Sequence, residues 1–125
     1  MVPSTSIPET GSVPAVLAQR QLEAYNARDL DAFMACYCED VEVYTHPNAL
    51  TLKGHDAFRA RYVERFKSEG LKATILHRVI LGDKAIDHER VWYDGDASTP
   101  EDLVVVYTVR DDKIARVDFV REGAA

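Results

Sequence analysis

The chain has few cysteines, no cluster of basic residues and no long apolar run. Its 125 residues include 2 cysteines, 15 lysines and arginines, and 21 aspartates and glutamates, which gives a formal net charge of −6. Because nucleic acids and anionic membranes attract basic surfaces, this charge disfavours both as main partners. No apolar run approaches the ~20 residues that a membrane-spanning helix needs. A small neutral or cationic ligand is compatible with these features.

The cysteines and the first residues favour a cytoplasmic protein. Cys36 and Cys38 are two residues apart, and on a helix such residues point to different sides. We therefore predict reduced thiols that neither bridge each other nor share a metal ion. Residues 1–12 lack the basic and apolar segments of a secretory signal, and we expect them to form a flexible tail.

The histidines lack the spacing of a metal site. His46, His55, His77 and His88 include no pair with i, i+4 helical spacing or His-x-His spacing. The chain also has no glycine-rich phosphate loop. The sequence therefore predicts no metal and no cofactor.

Hydrophobic periodicity predicts three helices in the first half of the chain. Ser12 and Pro14 supply an N-cap and a first-turn proline, and Asp29 can cap a second, short helix. Apolar residues then recur at i, i+3, i+4 and i+7. Gly70 is expected as the C′ residue of the third helix. The predicted helices cover 14–28, 30–37 and 55–69, with a strand over 41–45 and a turn at 46–48.

The second half is predicted to be a β-meander. Four β-rich segments, at 72–81, 84–93, 102–110 and 113–121, are separated by short Gly/Asp breaks of the hairpin type. Helices followed by strands predict an α+β domain, with the helices packed on one face of a curved sheet. We expect a single domain over 13–122, with tails at 1–12 and 123–125.

Three segments carry a resemblance to a known superfamily. They read YNARDLDAFMACYCEDVEVY (25–44), KGHDAFRARYVERF (53–66) and YTVRDDKIARVDF (107–119). In this order they resemble the nuclear transport factor two superfamily, which includes ketosteroid isomerases and SnoaL-type polyketide cyclases. The resemblance implies a cystatin-like cone, a strongly curved mixed or antiparallel sheet wrapped on three N-terminal helices. Since this fold hosts several enzyme classes and also binding modules, it implies less about function.

The chain departs from the ketosteroid isomerases at the positions where they carry their catalytic groups. Their general-base aspartate precedes a proline, whereas here Thr45 and His46 occupy that region. Gln21 aligns with their first-helix tyrosine, and Val105 aligns with their protonated carboxylic acid. Two positions of their hydrogen-bonded cluster do match, namely Tyr37 and Tyr62. Ketosteroid isomerase activity of that kind is therefore not expected.

The segment IDHERVWYD (86–94) carries charged side chains on both faces of a predicted strand. Alternation places Asp87 and Glu89 on one face and His88 and Arg90 on the other. Aligning the last hairpin with the superfamily turns the acids inward and the basic residues outward. A buried carboxylate requires a hydrogen-bond donor or a proton.

Three interpretations of these acids stay open. Arg61 or Arg78 neutralises Glu89 in a structural ion pair, or Glu89 is a catalytic or ligand-binding acid. A one-residue register error would instead exchange the two faces. His46 has two interpretations as well, since it could act as a general base near neutral pH or pack as a turn residue on Pro47.

Two functional hypotheses follow. In the first, the protein is a cofactor-free isomerase, cyclase or dehydratase that binds a hydrophobic carbonyl compound. His46, Glu89 or Asp87 would then move a proton, and Gln21, Tyr62 or Arg61 would hold a developing oxyanion. In the second, it is a non-catalytic ligand-binding or dimerisation module. The predicted pocket residues are Gln21, Tyr25, Tyr37, Thr45, Phe58, Arg61, Tyr62, Val105, Tyr107, Val117 and Phe119.

The resemblance also implies a homodimer through the outer face of the sheet. An interface with apolar residues and opposite charges suits the side chains predicted there. They are His88, Arg90, Trp92, Val104, Val106 and Arg116. A protein partner like that of nuclear transport factor two is a third alternative for this face.

Overall fold

A computed structural model of the protein describes residues 12–95 and 99–122. The predicted tails therefore lie outside the described residues, apart from Ser12. The helices are α1 (Val13–Ala27), α2 (Leu30–Met34) and α3 (His55–Arg65). The strands are β1 (Tyr37–Thr45), β2 (Ala49–Lys53), β3 (Lys72–Leu81), β4 (Lys84–Trp92), β5 (Glu101–Arg110) and β6 (Lys113–Arg121).

Both predicted N-caps of the first two helices are confirmed. Ser12 Oγ accepts a hydrogen bond from the Ala15 amide at 3.4 Å, and Asp29 Oδ1 accepts one from the Ala32 amide at 3.2 Å. Each cap satisfies an amide that the first helical turn leaves without an intrahelical partner. These caps fix where the two helices begin.

The predicted end of the second helix is wrong. The helix ends at Met34, and β1 already begins at Tyr37 because it pairs in parallel with β6. The Ile114 amide donates to the Cys36 carbonyl at 2.8 Å, which draws this part of the chain into the sheet. Cys36 and Cys38 therefore do not share a helix, although both are buried free thiols as predicted.

The third helix is also shorter than predicted, and its capping residue differs. It ends at Arg65 with Phe66 as C-cap, so Gly70 is not its C′ residue. Gly70 instead packs against the backbone of Gly95, where an added Cβ atom would lie 2.4 Å from the Gly95 nitrogen. The absence of a side chain at Gly70 is what allows this close approach.

The six strands form one curved, open sheet in the order β2-β1-β6-β5-β4-β3. Strands β3 to β6 are the antiparallel meander that the sequence predicts, and β1 joins β6 in parallel, so the sheet is mixed. The edge strand β2 was not predicted, because its five residues are mostly exposed and show no apolar alternation. Bulges in β1, β3 and β5 accompany the curvature.

The helices pack on the concave face of the sheet and enclose the core there. Phe33, Phe58, Ile114 and Val41 are among its fully buried side chains. None of the helices in the described ranges has the length and apolar character needed to cross a membrane.

The register places the charged residues of β4 as predicted. Asp87 and Glu89 lie on the inner face with exposures of 0% and 8%, while His88 and Arg90 are half-exposed on the outer face. Facing strands agree, because Asp87 pairs with the buried Val105.

Candidate functional site

A cavity lies between the concave face of the sheet and helices α1 and α3. The centre of a water molecule can reach about 40 Å³ of it. A single buried water needs about 10–15 Å³ of such space, whereas pockets for drug-sized ligands usually span about 300–1,000 Å³. The enclosed part therefore accommodates a small chemical group and not a whole ring system.

Packed aromatic rings form the apolar wall of this cavity. The rings of Phe33 and Phe58 are stacked at 5.8 Å, and Tyr62 lies 4.7 Å from Phe33 and 4.8 Å from Phe58, between ring centroids. Tyr37 completes the wall at 4.5 Å from Phe58. Such a wall excludes water and lowers the local dielectric constant, so polar groups at its edge interact strongly.

Glu89 is the carboxylate that lines the cavity. Its side chain makes no hydrogen bond and no ion pair with another residue that the structure describes, although the residue is only 8% exposed. Burial, followed by the nearby charge of Asp87, raises the pKa of Glu89 from 4.5 to about 7. A carboxyl group with this pKa is present in both protonation states near neutral pH and can accept and return a proton.

Asp87 is the acid that forms a structural ion pair. Arg78 donates from Nε to Oδ1 at 2.7 Å and from Nη2 to Oδ2 at 2.9 Å, and its Nη1 donates to Gln19 Oε1 at 2.9 Å. A bulge between Ile75 and His77 in β3 shifts the alternation by one residue and brings Arg78 opposite Asp87. Asp87 does not line the cavity, and its partner is the cation that could have neutralised Glu89.

Tyr107 offers a hydroxyl group to the same cavity. The residue is 5% exposed, and within the described ranges its hydroxyl has no hydrogen-bond partner. Burial and then the charge of Glu89 raise the pKa of Tyr107 well above its usual value, so the hydroxyl keeps its proton. Buried polar groups nearly always have partners, so the Tyr107 hydroxyl and the Glu89 carboxylate are candidates for contact with a bound molecule.

Two other polar side chains of the cavity already have partners. The Tyr37 hydroxyl donates to Gln21 Oε1 at 3.2 Å, and Gln21 Nε2 donates to the Ala18 carbonyl at 3.0 Å. Gln21, which aligns with the catalytic first-helix tyrosine of ketosteroid isomerases, therefore uses both ends of its amide in the fold.

Three arginines lie at the mouth of the cavity. Arg121 Nη1 donates to Glu101 Oε1 at 2.6 Å, and Arg65 Cζ lies 4.8 Å from the ring centroid of Tyr93. The third is Arg61, which is exposed. Arg65, Tyr93 and Arg121 also line an adjoining surface depression, which makes the cavity and the depression continuous.

The structure brings most of the predicted pocket residues together at the cavity. Those that line it are Gln21, Tyr25, Tyr37, Phe58, Arg61, Tyr62, Tyr107, Val117 and Phe119. Thr45 and Val105 are not among the lining residues. His46 is not either, because it is exposed in a turn with its amide bonded to the Phe119 carbonyl at 2.8 Å.

The sequence analysis missed three polar lining residues, Arg65, Tyr93 and Arg121. Two of them had a readable signal. Arg65 follows Arg61 by one helical turn, and Arg121 follows the inward-facing Phe119 by two strand positions. The third, Tyr93, lies just after β4 ends, where alternation no longer predicts direction.

No three histidine, cysteine or acidic side chains within residues 12–95 and 99–122 are grouped to hold a metal ion. The two cysteines belong to the fold, since Cys36 Sγ donates to the Ala32 carbonyl and Cys38 Sγ to the Arg110 carbonyl, both at 3.6 Å. The polar chemistry of the cavity thus comes from carboxyl, phenol and guanidinium groups.

Comparison with known proteins identifies the kind of domain. Residues 18–117 match the family model of the SnoaL-like domain. A search of curated proteins finds no match. An uncharacterised cystatin-fold protein from Novosphingobium aromaticivorans is 26% identical and has a TM-score of 0.79, with 88% of this chain and 98% of that chain covered.

Two further structures share the fold at lower identity. A proposed ketosteroid isomerase from Kribbella flavida is 19% identical with a TM-score of 0.75, and the match covers 96% of this chain and 84% of that one. A proposed polyketide cyclase from Sinorhizobium meliloti is 24% identical with a TM-score of 0.70, and the match covers 83% and 93% of the two chains. At these identities the likeness establishes the fold alone.

Proposed function

The chain belongs to the SnoaL-like domain family, and we propose that within this family it is a cofactor-free enzyme that moves a proton on a small carbonyl compound. The observation that carries the proposal is Glu89, a buried carboxylate that lines the cavity without a hydrogen-bond partner among the described residues. The structural neighbours described as a proposed ketosteroid isomerase and a proposed polyketide cyclase support this reaction class.

The proposed reaction uses Glu89 as base and Tyr107 as hydrogen-bond donor. The Glu89 carboxylate removes a proton from the carbon next to the substrate carbonyl, and the C–H electron pair moves toward the carbonyl oxygen. The Tyr107 hydroxyl donates to that oxygen as its negative charge develops, in a site where aromatic rings exclude water. Glu89 then returns the proton to the same or another carbon, so the step needs no oxidant or reductant.

The other predicted bases have no place in this reaction. Asp87 is held by Arg78, and His46 lies in an exposed turn away from the cavity lining. Because the cavity is small, the substrate places its carbonyl end inside and the rest of the molecule in the adjoining depression.

Deuterium exchange tests the proposal without knowledge of the natural substrate. Small ketones such as butanone and cyclohexanone are incubated with the protein in D₂O, and loss of their α-proton signals is followed by NMR. We expect exchange above the buffer rate, with a loss of at least about a hundredfold in Glu89→Gln. Glu64→Gln, which alters an exposed acid on α3, is the control. Absence of exchange with every ketone, or full exchange in Glu89→Gln, would contradict the proposal.

A non-catalytic dimerisation module is the second candidate, and the tight packing of the cavity favours it. In such a module Glu89 would serve no reaction, and its substitution would change stability alone. The exchange experiment separates the two candidates.

We also propose a homodimer through the outer face of the sheet, with either function. Val79, Ile86 and Val106 lie side by side across β3, β4 and β5 on this face, and Val79 is 56% exposed. The Arg90–Asp102 pair, with hydrogen bonds of 2.7 and 3.0 Å, borders this apolar row. A polar border around an apolar centre is typical of protein interfaces. The buried free thiols support a cytoplasmic location.

A further inference from the structure

We propose that the substrate of this site is an organic carboxylate, whose carboxylate group binds Arg61 and Arg65 at the cavity mouth while its reacting carbon lies against Glu89. This inference rests on the proposed function for its reacting end. The binding of the anion, however, can be measured without any turnover.

The pairing of the arginines singles out Arg61 and Arg65. Six of the ten arginines form ion pairs with acids among the described residues, namely Arg59, Arg78, Arg90, Arg110, Arg116 and Arg121. Arg61 and Arg65 form none, although the chain carries 21 acids. Both nevertheless line the cavity.

The placement of these two arginines carries a small cost that the fold does not explain. They stand one turn apart on α3, and like charges with this spacing destabilise an isolated helix by about 0.2–0.5 kcal/mol. Arg65 is also half-buried, with its guanidinium over the ring of Tyr93 and beside the Tyr25 hydroxyl. A ligand with a negative charge would offset both effects.

Tyr62 links the arginines to the proposed base. Its ring lies in the cavity wall between Arg61 and Arg65 in sequence. Arg65, Arg61 and Glu89 all act on the pKa of its hydroxyl, the arginines lowering it and Glu89 raising it against a larger effect of burial. A small molecule in contact with Tyr62 is thus near both the cations and the carboxylate.

The remaining charges around the mouth leave it positive. Glu101 on β5 lies 2.6 Å from Arg121 on β6, and Glu64 on α3 lies 3.0 Å from Lys67. Glu89 faces the interior from β4. With these acids occupied, the local charge is opposite to the net charge of −6. The expectation of a neutral or cationic ligand, drawn from net charge, is therefore replaced by an anionic one. A guanidinium group binds a carboxylate through paired, charge-assisted hydrogen bonds.

The test compares ligands that differ in charge and not in size. Binding of 2-oxobutanoate and 2-oxobutanamide, and of benzoate and benzamide, is measured by NMR titration of the full-length protein. We expect each carboxylate to bind at least about tenfold more tightly than its amide, and its affinity to fall with added salt. Arg61→Gln and Arg65→Gln should each remove about tenfold of the carboxylate affinity and leave amide affinity unchanged.

Arg59→Gln is the matched control, because Arg59 is on the same helix, is paired with Asp31 at 3.2 Å and does not line the cavity. It should bind the carboxylates as wild type does. Equal affinities within each ligand pair, no response to the two arginine variants, or no binding at millimolar concentrations would overturn the inference.

The proposed function and this inference fail in different measurements. Carboxylate binding that depends on Arg61 and Arg65, in a protein that exchanges no α-protons, would uphold the anion site and refute the enzyme. Exchange that depends on Glu89, together with equal binding of carboxylates and amides, would do the reverse.

Discussion

Arg78 binds both carboxylate oxygens of Asp87, at 2.7 and 2.9 Å, two residues before Glu89 on the same face of β4. This ion pair assigns opposite roles to two neighbouring acids. Asp87 receives the cation and stabilises the fold, whereas Glu89 is left near a buried negative charge and without a hydrogen-bond donor among the described residues. The acid–base character of the site follows from this arrangement.

Replacing Glu89 with glutamine is expected to stabilise the protein above neutral pH. The folded-state pKa of about 7 exceeds the ordinary 4.5, so the native state binds more protons than the unfolded state between these values. The free energy of unfolding therefore falls as pH rises from about 4.5 to 7, by about 3 kcal/mol, and stays low above that. Glu89→Gln lacks this loss, so the variant should be more stable than wild type by about that amount at pH 8. Urea unfolding at several pH values measures it, and equal curves for both proteins would refute it.

Replacing Asp87 with asparagine is expected to destabilise the protein strongly. The substitution leaves Arg78 half-buried without its carboxylate, and breaking a buried ion pair costs about 3–5 kcal/mol. Asp102→Asn is the control, because it breaks the same kind of pair with Arg90 on the outer face. Urea unfolding should show a much smaller loss for Asp102→Asn. Similar losses in the two variants would contradict the structural role of Asp87.

Two tyrosine substitutions should affect stability in opposite directions. Tyr37→Phe leaves Gln21 Oε1 without its donor, which costs about 1–2 kcal/mol. Tyr107→Phe removes a buried hydroxyl that has no partner among the described residues, so stability should stay equal or rise by about 1 kcal/mol. Its deuterium exchange should nevertheless fall by at least about tenfold if Tyr107 donates to the oxyanion. A Tyr107→Phe protein that is destabilised and fully active would refute that role.

The proposed dimer predicts a change of mass in solution. Val106→Asp places a charge at the centre of the apolar row on the outer face and should convert the dimer to a monomer. Val63→Asp, on the exposed side of α3, should remain dimeric. Sedimentation velocity distinguishes the two forms, and a monomeric wild-type protein would refute the interface.

The sequence predicted the meander and the inward direction of Glu89 because apolar alternation in β4, β5 and β6 is regular. The early start of β1 and the edge strand β2 depend on pairing with distant residues, which leaves no local period to read. These parts of the sheet could not be derived from propensity alone.

The partner of each acid was equally beyond the sequence. Regular alternation in β3 would have turned Arg78 outward, away from both Asp87 and Glu89. The bulge between Ile75 and His77 reverses the alternation and selects Asp87 as the partner. A bulge is fixed by the pairing of two strands, so the isolated sequence left Arg78 and Arg61 as equal candidates.

The protonation of Glu89 is the central claim and can be measured directly. The protein is labelled with ¹³C at the glutamate carboxyl carbons, and their NMR shifts are followed with pH, with the Glu89 signal assigned by its loss in Glu89→Gln. We predict that this carboxyl group titrates near pH 7. Titration near the ordinary glutamate value of 4.5, or below it, would mean that Glu89 is paired or solvated and would contradict the proposed base.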